Sequence, residues 1–293
     1  MLPKRLILEN RQCPGDILML TAAVRDLHHS YPDIQLGVRT NYPWIWENNP
    51  NITVREGEST PIGYKTPHQE PNHPVRDHFV YAFHRSLERM FDIRIQRGIP
   101  YPDIHLGEND TPLLLGINLP ILLVNAGSKA DFPIKQWPLE YFQAVVDALV
   151  DRYLVIQIGE TQKGLHTPLK GVVDMLNRTP GRDIVRLMRQ ADAVLTGVSF
   201  PMHLCAALNA ADGLSRKCVV IGGHRENTYW EKYPDMHYLQ GGCEHDGCWN
   251  RWLPPVVGWK PEICPNSVRG ENGRYFAKCI YDIKPEEVIE CLK

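Results

Sequence analysis

Hydrophobic positions along the chain come in two rhythms that keep replacing one another. Short solid apolar runs alternate with stretches whose apolar residues recur every three or four positions. "RLILEN" (5–10) reads as a strand, and Asp16 to Ser30 as an amphipathic helix. "DIQLGVR" (33–39) is a second strand, "PWIWENNP" a short helix stopped by Pro50, and "NITV" (51–54) a third strand. Residues 56–75 carry Gly57, Gly63 and several prolines and read as loop, after which 75–93 has helical spacing. "YPDIHLGENDTP" looks like a boundary, and the pattern then starts again. "ILLVNAGS" (121–128), "YLVIQIGE", "DAVLTGVS" and "KCVVIGGH" are buried-strand runs. Helical patterns "PLEYFQAVVDALVDR", "DIVRLMRQA" (183–191) and "PMHLCAALNAA" lie between them, the first and last with proline in the first turn. Strands alternating with helices predict an α/β fold of wound parallel sheets. The restart divides it into two Rossmann-like domains, 1–112 and 113–293, with ligands expected in an interdomain cleft at the carboxyl ends of the strands.

Composition narrows the class. Two domains fit within 293 residues, and 43% hydrophobic with 23% charged residues is the balance of a globular protein. The net charge of -2 offers no bulk basic field for nucleic acid or acidic membrane. No apolar run reaches 18 residues, and "MLPKRLILENRQ" is too short and polar for a signal peptide, so a cytoplasmic protein is expected. Eight cysteines there are thiols or metal ligands rather than disulfides.

The turn after the first strand, "ENRQCPGDILML", sets a puzzle. A strand, a tight turn and a helix N-terminus form an anion-binding layout, yet the turn has one glycine, Gly15, and puts the carboxylate of Asp16 where an anion would sit. Asp16 is either a first-turn acid favoured by the helix dipole or a group with chemistry to do.

Four segments in order, "GDILMLTAAVRDLHHSYPDIQLGVRT", "NAGSKADFPIKQWPLEYFQAVVDAL", "VIQIGE" and "PMHLCAALNAA", resemble glycosyltransferase family 9, the heptosyltransferase-like enzymes of GT-B architecture. The cysteine-bearing "CEHDGCW" resembles the tail of a subgroup that includes autotransporter heptosyltransferases. The resemblance implies an inverting transfer of a heptose or related sugar from a nucleotide-diphosphate sugar, an ADP-sugar for preference, to the hydroxyl of a glycan, protein or DNA acceptor. Asp16 matches the family's catalytic base, which takes the proton from that hydroxyl. Lys135 matches the lysine that meets the donor phosphates, and Glu160 an acid that binds ribose hydroxyls. Gly127 and Ser128 follow a strand and offer N–H groups to the same anion, and Ser199, Met202 and His203 open a helix beside it. Trp137 reads as packing, and His203 equally as a core histidine. No catalytic metal is implied, and self-association into a homo-oligomer is among the partner classes. One departure matters: Val198 and Phe200 stand where relatives carry an acid and a glycine, so the donor sugar is not fixed as heptose. The rival readings are a glycosyltransferase acting on modified DNA bases and a non-catalytic sugar-nucleotide-binding protein.

Cys243, Cys248, Cys264 and Cys279 fall within 37 residues of a cysteine-rich segment, 241–280, in which glycines flank the first pair. Four thiolates suit one tetrahedral structural zinc or iron, with His245 ranked below them; four unligated thiols are the alternative. Cys13, Cys205, Cys218 and Cys291 lie in apolar runs or helices and are expected to be buried. Histidines 68, 73, 78 and 84, with Arg76, Arg85 and Arg89, form a candidate acceptor or metal patch in the first domain.

Overall fold

The computed structural model describes residues 2–66, 69, 77–128, 132–161, 166–245, 247–248 and 261–293. The chain divides into two compact units, Met1–Thr111 with Ala206–Leu214, and Pro112–Cys205 with Ser215–Lys293.

The first unit opens with β1 (Arg5–Asn10), α1 (Pro14–Ser30) and β2 (Gln35–Thr40). β1 is the middle strand of a parallel three-stranded sheet and pairs Leu6 with Leu36 and Leu8 with Val38. Its other neighbour corrects the sequence reading. "NITV" is not a strand; β3 (Ser59–Pro61) takes the edge instead, from the stretch read as loop. Residues 53 and 54 only lean on β2, where the Thr53 and Val54 N–H groups donate to Leu36 O. The Val54 carbonyl lies so near Gly37 that a Cβ there would be 2.3 Å away, a close approach only glycine permits. Pro61 is tolerated because an edge strand has one side free of the ladder. α1 covers the sheet with buried Ile17, Leu18, Leu20, Ala23 and Leu27, and α2 (Ala82–Phe91) follows a 3-10 turn at Phe79–Tyr81.

Beneath α1 and α2 lies a charged knot. Asp26 accepts from His84 Nε2 at 2.8 Å, Arg25 Nε at 2.7 Å and the Gly98 N–H at 2.8 Å, and Arg25 also reaches Asp103 at 2.7 Å. Burial alone would raise the Asp26 carboxyl, but these donors, His84 first, hold it down at about 2. Burial lowers His84 below its ordinary range, so the neutral ring donates through Nε2–H.

In the second unit β4 (Ile121–Asn125), α3 (Leu139–Leu149), β5 (Leu154–Gln157) and β6 (Val173–Asp174) wind outward in one direction. After α4 (Asp183–Arg189) the chain returns to the far side of β4 as β7 (Ala193–Gly197). It goes on through α5 (Phe200–Asp212), β8 (Lys217–Ile221), α6 (Thr228–Glu231) and β9 (Met236–Leu239). The sheet is parallel throughout, in the order β6-β5-β4-β7-β8-β9. Every residue of β4 and β7 is buried, as central parallel strands require. A hairpin of β10 (Ser267–Arg269) and β11 (Tyr275–Ala277) precedes α7 (Lys278–Tyr281) and α8 (Pro285–Leu292). α8 packs on α3, where Tyr153 OH donates to Leu292 O. Trp137 is a packing residue: 1% exposed, edge-on to Phe142, its Nε1–H donating to Ile283 O at 3.0 Å.

The knot yields a test. A carboxyl held below its unfolded value near 3.9 stabilises the folded state above that pH, and the contribution is lost as pH falls from about 4 to about 2. Asp26→Asn should remove that acid-labile component. It should also cost about 3–5 kcal/mol at pH 7, because it strips the charged partner from buried His84 and half-buried Arg25. Denaturant titrations of both proteins from pH 7 to pH 2 check the expectation.

Candidate functional site

Parallel strands end at a common edge, and the winding reverses between β4 and β7, which leaves a crevice at their carboxyl ends. Buried Asn125 closes β4; its Nδ2 donates to Ile158 O beyond β5, and its Oδ1 accepts from Ser199 Oγ at 3.4 Å. Ser199 is also 3.0 Å from Thr196 Oγ1, so the residues after β7 are tied to the end of β4. Ser128 Oγ donates to Gln136 Oε1 at 2.9 Å. The chain then passes through a 3-10 turn, Pro133–Lys135, whose last carbonyl lies 3.9 Å from where a Cβ of Gly197 would be. Lys135, Gly127, Ser128 and Ser199 thus share one sheet edge, and exposed Glu160 follows β5 on it.

The sequence reading did not anticipate the partner of Lys135. Its Nζ lies 2.6 Å from Glu226 Oε1, and Arg225 Nη1 is 2.5 Å from the same oxygen. Both residues belong to the turn after β8. Glu226 is only 3% exposed. Burial alone would raise its carboxyl, but Lys135 and then Arg225 hold it well below the usual range, so it is ionised. The Arg225 guanidinium also lies over the Phe132 ring, 5.6 Å from its centre.

His166 is a second unanticipated neighbour. Its ring rests against Gly127 and Gly159 so closely that a Cβ on either would come within 2.5 Å of it. Burial lowers its imidazole below the ordinary range, and Nδ1 has no hydrogen-bond partner among the described residues. Together with Gln136, Thr167, Asn272, Arg274 and Phe276 it lines a cavity of about 230 Å³. Met202 and His203, in contrast, point inward. Met202 is fully buried, and His203 Nδ1 lies 2.9 Å from the buried Tyr233 hydroxyl.

In the first unit, Asp16 sits half-buried in the opening turn of α1, next to Gly15. Pro14 fills the first helical position, and Asp16 Oδ2 accepts the Cys13 N–H at 3.0 Å. Its other oxygen accepts from Tyr64 OH at 2.6 Å, and the Tyr64 ring packs on Phe79 and Phe83. The carboxylate thus caps the helix through one oxygen and ties it to Tyr64 through the other.

The histidine patch does not assemble from its described members. His78 Nδ1 accepts the Val80 N–H and caps a turn, His84 is bound to Asp26, and Arg85 pairs with Asp77 at 2.8 Å. His68, His73 and Arg76 lie outside the described residues.

Cys243, Cys248, Cys264 and Cys279 do share a place: all four line one cavity of about 30 Å³, which Lys135 and Arg225 also border. Burial pushes the Cys279 thiol up to about 12 and Cys248 to about 11, with the neighbouring sulfurs adding to the rise. Asn266 Nδ2 donates to Cys243 Sγ at 3.5 Å. His245 borders the same cavity and lies 3.5 Å from Glu244. Among the described residues, no three His, Cys, Asp or Glu side chains stand close enough together to hold a metal ion. Of the other thiols, Cys205 and Cys218 are buried as expected, but Cys13, at the N-cap of α1, and Cys291, in the last turn of α8, are only half-buried. No helix among the described residues is long and apolar enough to cross a membrane.

No family profile matches the sequence, and no curated protein matches it. Solved structures do match its fold. A glycosyl transferase family 9 protein from Veillonella parvula superposes with a TM-score of 0.68 at 14% identity, over 100% of this chain and 97% of that one. The E. coli ADP-heptose LPS heptosyltransferase II gives 0.61 at 16% identity, over 98% and 97%. The iron-containing dodecameric glycosyltransferase TibC of enterotoxigenic E. coli gives 0.67 at 18% identity, over 98% of this chain and 77% of that one.

The glycines at this edge make a direct test. Gly159 has φ +149°, and any side chain there meets the His166 ring. Gly159→Ala should therefore destabilise the protein by about 1–3 kcal/mol through backbone strain and displacement of His166. Urea denaturation followed by circular dichroism measures it, and an unchanged midpoint would contradict the packing described.

Proposed function

We propose that the protein is an inverting glycosyltransferase of the GT-B kind. In this reading the first unit supplies a base and the second binds a nucleotide-diphosphate sugar. The observation that carries the reading is the reversal of the sheet between β4 and β7, with Ser128, Lys135 and Ser199 at the edge where those strands end. Likeness over the whole chain to solved glycosyltransferases supports it. Lys135 and the N–H groups after β4 and β7 face the charge that grows on the diphosphate as the glycosidic bond breaks. Glu160 is assigned to the ribose, and Asp16 accepts the proton of the acceptor hydroxyl as its oxygen attacks the anomeric carbon. An ADP-sugar is the favoured donor, consistent with TibC in complex with ADP-D-β-D-heptose and WaaC with ADP. Val198 and Phe200 leave the sugar as heptose or a relative of it.

We further propose a structural zinc or iron on Cys243, Cys248, Cys264 and Cys279. The donor set fits: four sulfurs border one small cavity, and burial that keeps thiols protonated is offset when a cation binds their thiolates. TibC is described as iron-containing. The sulfurs would have to draw inward to reach metal-bond length.

Asp16→Asn should lower sugar transfer by about 10²- to 10⁴-fold while ADP binding stays within about threefold, because the carboxylate acts on the acceptor. Turnover near wild type would place the base elsewhere. Elemental analysis of protein purified without chelator should give near one zinc or iron per chain. Less than about 0.2 equivalents would leave the cysteines as free thiols.

A further inference from the structure

The donor-site lysine is already occupied. Lys135 and Arg225 both bind one oxygen of Glu226, a carboxylate buried too deeply to swing away. Two partly desolvated cations so close together would repel each other, and the carboxylate is what permits their proximity. The trio carries a net charge of +1, whereas the two cations alone would present +2 to a diphosphate. Lys135 has three N–H donors, so it keeps one on Glu226 and has others to turn toward a phosphate. An arriving diphosphate is therefore attracted by the cations and repelled by the fixed carboxylate behind them.

We propose that Glu226 is the internal counter-ion of the donor site: it holds Lys135 and Arg225 together while no nucleotide is bound, and its charge weakens the grip on the diphosphate so that the spent nucleotide leaves. This rests on Lys135 being a donor-phosphate ligand, as argued above. It predicts an unusual combination, a substitution that loosens the protein and tightens its ligand. Simple structural damage would weaken both.

The test is binding of ADP, inorganic pyrophosphate and adenosine by calorimetry, together with melting of the ligand-free protein. Glu226→Gln should lower the ligand-free melting temperature yet bind ADP and pyrophosphate about tenfold more tightly, the scale of removing one like charge from a partly screened site. Adenosine, which has no phosphate, should bind as it does to wild type. Glu226→Asp keeps the charge but draws it back by one methylene, and should fall between the two, so the test survives a glutamine variant that does not fold. Diphosphate affinity equal to or below wild type in either variant overturns the counter-ion role. Lys135→Ala separates this from the reading beneath it. If that variant loses pyrophosphate affinity, the donor site stands whatever Glu226 does; if it binds pyrophosphate unchanged, or wild type binds neither phosphate ligand, the donor-site reading fails and the proposal with it.

Discussion

Everything proposed for the second unit depends on one constraint. Parallel strands end at the same edge, and a sheet that winds outward from β4 and then restarts on its other side must leave a gap in its helical cover where the direction changes. The fold lines the rim with short polar side chains: Asn125, Thr196 and Ser199 bond in a chain, and Ser128 bonds to Gln136. The cations come from further along the chain, one from a 3-10 turn after β4 and one from the turn after β8, and a single buried carboxylate joins them.

That junction also links two features the sequence kept apart. The cavity bordered by the four cysteines is bordered by Lys135 and Arg225 as well. Order in the cysteine segment and the posture of the donor-site cations are consequently parts of one packing problem. Gly223 shows how tight it is: a Cβ there would meet Ile280 at 2.6 Å and the Cys279 sulfur at 3.3 Å. A metal drawing the sulfurs together would act on the same wall that carries Arg225.

What was legible in the sequence follows from where its signals are local. The buried runs that became β4, β5, β7 and β8 announce themselves because both faces of a central parallel strand are covered. β3, β6 and β9 did not, since edge strands of two to four residues such as Val173–Asp174 are formed by what lies beside them. The mistaken strand at "NITV" has the same origin: its apolar residues lean on β2 without joining the ladder. Asp16, Ser128 and Ser199 stand at strand-turn-helix boundaries, which are local patterns, whereas Lys135 is singled out by the family resemblance alone. Glu226 and Arg225 were not, because a Glu and an Arg in a polar turn look solvated until the fold buries them against a lysine about ninety residues away. His166 was hidden likewise, its place set by two glycines in the turns after β4 and β5.

The central claim is that the carboxyl edge of the six-stranded sheet is a nucleotide-diphosphate site. Hydrogen–deuterium exchange with and without ADP tests it most directly, since bound phosphate slows exchange of the N–H groups it covers. The account predicts slowed exchange in the turns after β4, β5, β7 and β8, around residues 126–128, 159–161, 198–200 and 222–226, with the opposite ends of the same strands unchanged. Protection at saturating ADP that falls elsewhere in the chain, or none at all, would contradict it.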